Sequence, residues 1–227
     1  KRKTKFIDVY HKMLDVDGKP MIVRIMENLA YPNAKYFLIG RKAHLEKEKA
    51  IVDQIEREYD AKFIAIDKLT EGTACTVLFA RAFINNETPL LIANSDQIVD
   101  IDIKAYIDDC LERKLDGSIL TFTDHELNPK WSFAKIDNNK FVTEVQEKKP
   151  ISEFATVGIY LFSKGLQFVD ASIDMIINND RVNNEFYTCP TYNYVIKDGG
   201  KIGIYNIDFS EMHGLGTPED LELFLQK

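Results

Sequence analysis

Three short stretches of this chain carry residues whose types and spacing could do chemistry. Asn94-Ser95-Asp96-Gln97 directly follows the apolar run 89–93 (PLLIA). A carboxylate at the end of a buried strand is held rigidly and can reach a ligand, and open parallel sheets bind ligands outside the carboxyl ends of their strands. Asp96 there suits Mg²⁺, a hard ion that takes carboxylate, water and phosphate oxygens; an aspartate that only caps a turn would read the same way. Asp100 and Asp102 read better as helix caps or solvated acids. Glu71-Gly72-Thr73-Ala74 falls between a strand and a helix on the same rim. Glycine lets the backbone approach a ligand closely, and a helix N-terminus offers N–H donors to a base edge or phosphate, though helix starts commonly use Gly and Thr. Glu147-Lys148-Lys149-Pro150 ends a hairpin. A lysine there would meet a phosphate as a compact point charge; a solvated charge run is the plainer alternative. Gly158 lies mid-strand, which signals close backbone approach or a bulge. Glu185, at the head of an aromatic helical run, is a ligand contact or a helix-start acid. His213 and Trp131 read either as ligand-facing or as structural.

The elements that would position these residues follow from hydrophobic period. Helical spacing covers 21–29, 42–59, 73–83 and 103–113. Short apolar runs at 35–39, 62–66, 89–93 and 117–122 read as buried strands between them. Continuous apolar strands alternating with helices predict an α/β fold with a mainly parallel, mixed sheet flanked by helices. After residue 123 the pattern changes. Runs at 131–136 and 141–146 flank Asp137-Asn138-Asn139-Lys140 as a hairpin. A strand at 155–162, helices at 167–177 and 185–196, a strand at 201–207 and a helix from Pro218 complete the chain. Pro218 with Glu219 and Asp220 is a helix start, because proline suits the first turn and acids favour the N-terminus. No linker or repeat interrupts 1–227, so the reading is one domain in two halves, 1–123 and 124–227. The first helix comes with no apolar strand before it, which is unusual for a parallel sheet.

Composition narrows the classes further. Of 227 residues, 45% are hydrophobic and 29% charged, which excludes disordered and collagen-like chains. The formal charge is −7, a poor match to non-specific nucleic-acid binding, which needs clustered Lys and Arg. Cys75, Cys110 and Cys189 are far apart and form no CxxC pair, so a structural zinc site is not expected and free thiols in a reducing cytoplasm are. No apolar run nears the roughly 20 residues that span a bilayer. The basic start is followed by no apolar core, so secretion is not expected.

Together, GKPMI (18–22), EGTA (71–74), PLLIA with NSDQ (89–97), EKKP (147–150), VGIY (157–160), EFY (185–187) and GTPEDL (216–221) resemble, in this order, the sugar nucleotidyltransferases. These are the sugar-phosphate pyrophosphorylases of the nucleotide-diphospho-sugar (GT-A-like) fold, and the likeness is to the capsule and surface-polysaccharide members. The resemblance implies a reaction of NTP with a phosphorylated sugar or polyol, giving an NDP-sugar and pyrophosphate. By motif position, Asp96 would hold Mg²⁺, and Gly72, Thr73, Asn94 and Ser95 would meet the nucleotide. Lys149 with Glu147 would meet the substrate phosphate and sugar, and Gly158 and Glu185 would line the sugar pocket. The family's opening strand and G-x-G-x-R-F loop are not among these residues. Lys12 is the choice for the catalytic lysine, with Lys5 behind it, and the spacing from Lys12 to Lys19 is one residue short. Gly214 stands where many members have an aspartate before Gly-Thr, and Asp208 is the substitute second metal ligand. CTP is weakly favoured. NTP and phosphosugar are the expected partners, with a homo-oligomer possible and neither nucleic acid nor membrane insertion expected. A glycosyltransferase of related fold, and a non-catalytic nucleotide-sugar-binding module, stay open as alternatives.

Overall fold

The computed structural model describes residues 13, 15–16 and 18–226. β1 (Asp15–Val16) and β2 (Lys19–Pro20) form a short hairpin before the helix Met21–Asn28. β3 (Tyr36–Arg41), the helices Lys42–Lys47 and Lys49–Glu58, and β4 (Ala61–Ile66) come next. A helical stretch over Thr73–Val77, Leu78–Ala80 and Arg81–Ile84 precedes β5 (Leu90–Ala93) and β6 (Gln97–Val99). The helix Ile103–Glu112, β7 (Gly117–Thr123), β8 (Ser132–Ile136), β9 (Val142–Glu147) and β10 (Phe154–Phe162) follow. The helices Gly165–Ile177 and Thr191–Lys197, β11 (Ile202–Ile207), β12 (Met212–Gly214) and the helix Pro218–Leu225 close the described chain.

The chain divides into two compact units, one of residues 1–69, 95–103 and 211–227, the other of 70–94 and 104–210. β7 ends at residue 123 and shares a sheet with the hairpin that follows, because β10 pairs with both β7 and β8.

The first unit is built on the parallel pair β3–β4, in register from Tyr36 with Ala61 to Arg41 with Ile66. The helix Met21–Asn28 feeds two clusters. Ile22, Val23 and Met26 join Leu45, Val52 and Ile55; Met21 and Ile25 join Val16, Ile98 and Leu215. Helical periodicity thus gave this helix two apolar sides rather than one. Its last residue, Asn28, clamps Val99 like a third strand: Nδ2 donates to Val99 O at 2.8 Å, and Val99 N–H donates to Oδ1 at 3.0 Å. The other edge of β6 pairs with β12. The helix at Pro218 begins as expected, with Thr217 Oγ1 accepting from Asp220 N–H at 3.1 Å.

The second unit holds a mixed six-stranded sheet flanked by helices. β11 runs parallel to β7, while β10 is antiparallel to β5, β7 and β8, and β8–β9 is an antiparallel hairpin. The α/β fold is as the sequence indicated, with more antiparallel pairing than apolar runs alone suggest. β10 is buried at every position from Ala155 to Phe162. Burial on both faces, and not strand direction, makes a strand continuously apolar. Tyr106 and Tyr192 seat their helices on this sheet. Tyr106 donates to Ser118 O at 2.6 Å, and Tyr192 to Leu161 O at 2.9 Å while stacking on Phe162 with centroids 4.5 Å apart.

The helix expected at 185–196 begins only at Thr191. Pro190 is its N-cap, and proline cannot sit inside a helix without losing a hydrogen bond and clashing with the preceding turn. Residues 185–188 are therefore left to do something else.

Candidate functional site

The turn Glu71-Gly72-Thr73 and the segment Glu185-Phe186-Tyr187-Thr188 are locked together. Phe186 N–H donates to Glu71 O at 2.7 Å, and Ala74 N–H donates to Phe186 O at 3.0 Å. Thr73 Oγ1 accepts from Thr188 N–H at 2.9 Å and lies 3.0 Å from Thr188 Oγ1. Gly72 has φ 125° and ψ 174°, a region essentially confined to glycine. A Cβ at this position would lie 2.3 Å from Phe186 O and 2.6 Å from Phe186 N. The close approach that Gly72 permits is thus first an approach to the chain itself. Thr73 remains exposed at the surface of this clamp.

A turn delivers Glu185 into it. Asn183 and Asn184 have φ of 48° and 66°, and Val182 and Glu185 exchange both backbone hydrogen bonds, at 3.0 and 2.9 Å. Two central residues with positive φ make the tight hairpin turn for which asparagine is suited. Glu185 is accordingly a hairpin residue and not the first acid of a helix.

The end of the β8–β9 hairpin comes to the same segment. Glu147 is cross-strand partner of Ser132, whose Oγ donates to Glu147 Oε2. Glu147 is only 9% exposed. Burial pushes its carboxyl above the ordinary 4.5, opposed by the Ser132 hydrogen bond and by Lys148, with Glu185 adding repulsion. Lys148 has a left-handed backbone, φ 55°. Its Nζ donates to Tyr187 Oη at 2.5 Å and lies 4.4 Å from the Tyr187 ring centroid. Burial works against its charge, but the Tyr187 hydrogen bond and the Glu147 and Glu185 carboxylates outweigh it and raise its pKa. Lys148 is therefore a half-buried ammonium that stays charged at neutral pH. Lys149, which the sequence singled out, is exposed. Two adjacent lysines cannot be ranked by sequence; the left-handed residue 148 decides which one turns inward.

Gly158 has φ 93° and sits where the β10–β7 register shifts, between Thr156 and Tyr160. Its carbonyl accepts from Asn94 N–H at 3.1 Å. It is thus a bulge that holds the end of β5. Asn94 is exposed beside it, while Ser95 and Asp96 belong to the other unit. Asp96 is half-buried, and its carbonyl accepts from Leu215 N–H at 2.6 Å. Asp208 Oδ1 accepts from Ser210 N–H at 2.8 Å and Ser210 Oγ at 2.6 Å, and these bonds hold its carboxyl below the ordinary range. Among the described residues, no group of three or more His, Cys, Asp or Glu side chains forms a metal cage. Lys12 and Lys5 lie outside the described residues. His213 is taken up by strand pairing and by Asp100, 2.5 Å away, and Trp131 packs edge-on against Phe122 at 5.2 Å.

Sequence reading missed three contributors: Lys148, Tyr187 and Ser132. Tyr187 lay within the EFY motif but was assigned to a helix. Ser132 carried no signal, because only the hairpin register sets it opposite Glu147.

The Glu147 environment gives a signed prediction. Its folded pKa is raised, so the folded state binds this proton more tightly than the unfolded state. The stability it contributes is fully present below 4.5 and is lost as pH rises through the folded value. Raising the pH from about 4 to about 7 should therefore cost the wild type more stability than Glu147→Gln. Urea unfolding of both proteins across that range measures the difference, and parallel curves would contradict it.

Comparison with known proteins agrees with this architecture. The chain is 23% identical over 232 residues to the bifunctional protein GlmU of Clostridium perfringens, covering 96% of this chain. It spans about half the length of the curated relatives it matches. A nucleoside-diphosphate-sugar pyrophosphorylase from Vibrio cholerae RC9 superposes with a TM-score of 0.79 at 21% identity, covering 96% of this chain and 91% of that one. HddC from Yersinia pseudotuberculosis superposes at 0.63 with 19% identity, covering 95% and 88%. At these identities the structures establish the shared fold. The model of the nucleotidyl transferase family matches residues 7–188, most of the chain, and the chain belongs to that family.

Proposed function

We propose that the chain transfers a nucleotidyl group from an NTP, with CTP first among the bases, to a phosphorylated sugar or polyol. The products are an NDP-sugar and pyrophosphate, destined for capsule or surface polysaccharide and made in the cytoplasm, with residues 1–227 acting as one nucleotidyltransferase domain. One observation carries the reading: a buried carboxylate, Glu147, a charged Lys148 and the Tyr187 hydroxyl meet on the segment that clamps Gly72 and Thr73. That gives a sugar hydroxyl an acceptor and a phosphate a cation, next to a turn suited to a nucleotide. Membership of the family and the pyrophosphorylase among its structural relatives support the same chemistry.

In the reaction, a phosphate oxygen of the sugar phosphate attacks the α-phosphorus in line. The bond from that phosphorus to the bridging oxygen breaks, and pyrophosphate leaves. Lys148 would hold the attacking phosphate and balance its charge, and Glu147 and Glu185 would fix the sugar. Such catalysis is positioning and electrostatics. Asp96 would be the Mg²⁺ ligand, a hard carboxylate for a hard ion; a bound ion would neutralise phosphate charge. Asp208, whose Oδ1 accepts from Ser210, would be the second metal ligand. Asn94 and Ser95 would meet the nucleotide, Lys149 would add its charge from an exposed position, and Lys12 would be the catalytic lysine.

The test crosses the common NTPs with phosphosugars and phosphopolyols and measures pyrophosphate release with and without Mg²⁺. Release from one pair supports the reading, and Asp96→Ala should then lose Mg²⁺-dependent turnover while remaining folded by circular dichroism. Release of a nucleoside diphosphate from a nucleotide-sugar would mark a glycosyltransferase. Thermal stabilisation by nucleotide without turnover would mark a binding module.

A further inference from the structure

The Glu71–Thr73 turn is held by more than its backbone. Arg181 lies in the connection between the helix Gly165–Ile177 and the hairpin turn 182–185, and each part of its guanidinium group meets a different segment. Nε donates to Asn179 Oδ1 at 2.6 Å, where the helix ends. Nη1 donates to Asn184 O at 3.2 Å, on the hairpin turn. Nη2 lies 2.5 Å from Glu71 Oε2, on the glycine turn. Its Cζ lies over the Phe186 ring, 4.1 Å from the centroid.

Its partner Glu71 is 65% exposed, and so open an ion pair contributes little to stability. The arrangement is better explained by geometry. Phe186 is the residue whose backbone grips both sides of Gly72, and Arg181 covers its ring while tying down the carboxylate one residue before Gly72. A planar fork can stack and donate in three directions at once; the single ammonium of lysine cannot.

We propose that Arg181 is a positioning residue, which fixes the Glu71-Gly72-Thr73 turn against Phe186 and so sets the geometry offered to the NTP. This rests on the nucleotidyltransferase reading for its ligand, but not for its structural content. Arg181 touches no reacting atom; it acts through Glu71 and Phe186.

Hydrogen exchange and steady-state kinetics test it together, using the whole chain. In Arg181→Met and Arg181→Lys, exchange at the Ala74 and Phe186 amides should rise about tenfold without nucleotide, while Ile119 in β7 stays unchanged. Where the wild type turns over, the KM for NTP should rise about tenfold and the KM for the phosphorylated acceptor by less than about twofold. Glu71→Gln should move exchange and the KM for NTP in the same direction by a smaller factor, and the double variant should add little to Arg181→Met. Unchanged exchange at Ala74 and Phe186 overturns the inference whether or not the protein is active. A uniform rise in exchange that includes Ile119, or a fall in kcat with both KM values unmoved, would show a merely structural role and also overturn it. A wild type with no turnover would refute the functional reading alone, and the exchange data would still decide Arg181.

Discussion

Gly72→Ala is expected to inactivate the protein and to destabilise the unit that carries residue 72. The added Cβ would meet Phe186 O at 2.3 Å and Phe186 C at 2.8 Å, and both are backbone atoms that no rotamer change can move. The backbone conformation adds its own strain, since φ 125° with ψ 174° is all but closed to residues with a Cβ. Relief requires breaking the two hydrogen bonds between the turn and Phe186. We expect a loss of about 3 kcal/mol or more. In a chain of this size that lowers Tm by roughly 6–12 °C. Pyrophosphate release should fall at least about a hundredfold even well below the melting transition, because the turn and the 185–188 segment would separate. Calorimetry and the release assay measure the two effects. Full activity in a stable Gly72→Ala protein would show that the clamp is not part of the site.

The second large effect separates two adjacent lysines. Lys148→Ala should lower kcat by about 10²–10³-fold, the usual cost of removing one electrostatic contact to a reacting group. Lys149→Ala should change it by less than about threefold. The difference follows from placement. Lys148 is half-buried, bonded to Tyr187 and faced by Glu147 and Glu185, whereas Lys149 is exposed. Tyr187→Phe should fall between them, because the ring that Lys148 approaches remains while the hydroxyl is lost. Equal losses at 148 and 149 would argue for a diffuse basic patch. A selective loss at 149 would return the role to the residue that the sequence first suggested.

The α/β class, the helix at Met21, the hairpin at 132–147 and the helix at Pro218 were legible because each rests on local signals. Those signals are hydrophobic period, a polar turn and a proline with two acids. The three stretches singled out for chemistry are marked by local composition, and their roles belong to the proposed function. Strand direction was less legible, because a strand buried on both faces has one pattern whether its neighbours run parallel or antiparallel. The helix at 185–196 was over-extended for a related reason. Aromatic residues at helical intervals look helical until the asparagine pair at 183–184 and Pro190 impose their own backbone geometry.

By itself, then, the sequence determined the family likeness, the order of the elements and the types of group available for phosphate and sugar chemistry. The tertiary structure alone decided which of these groups meet. Ser132 faces Glu147 because of hairpin register, and Lys148 turns inward because of one left-handed residue. Gly72 meets Phe186, and Arg181 reaches Glu71, across more than a hundred positions of chain. Hydrogen bonds and close contacts between distant segments depend on distances in space, and a local pattern of residue types carries no such distances.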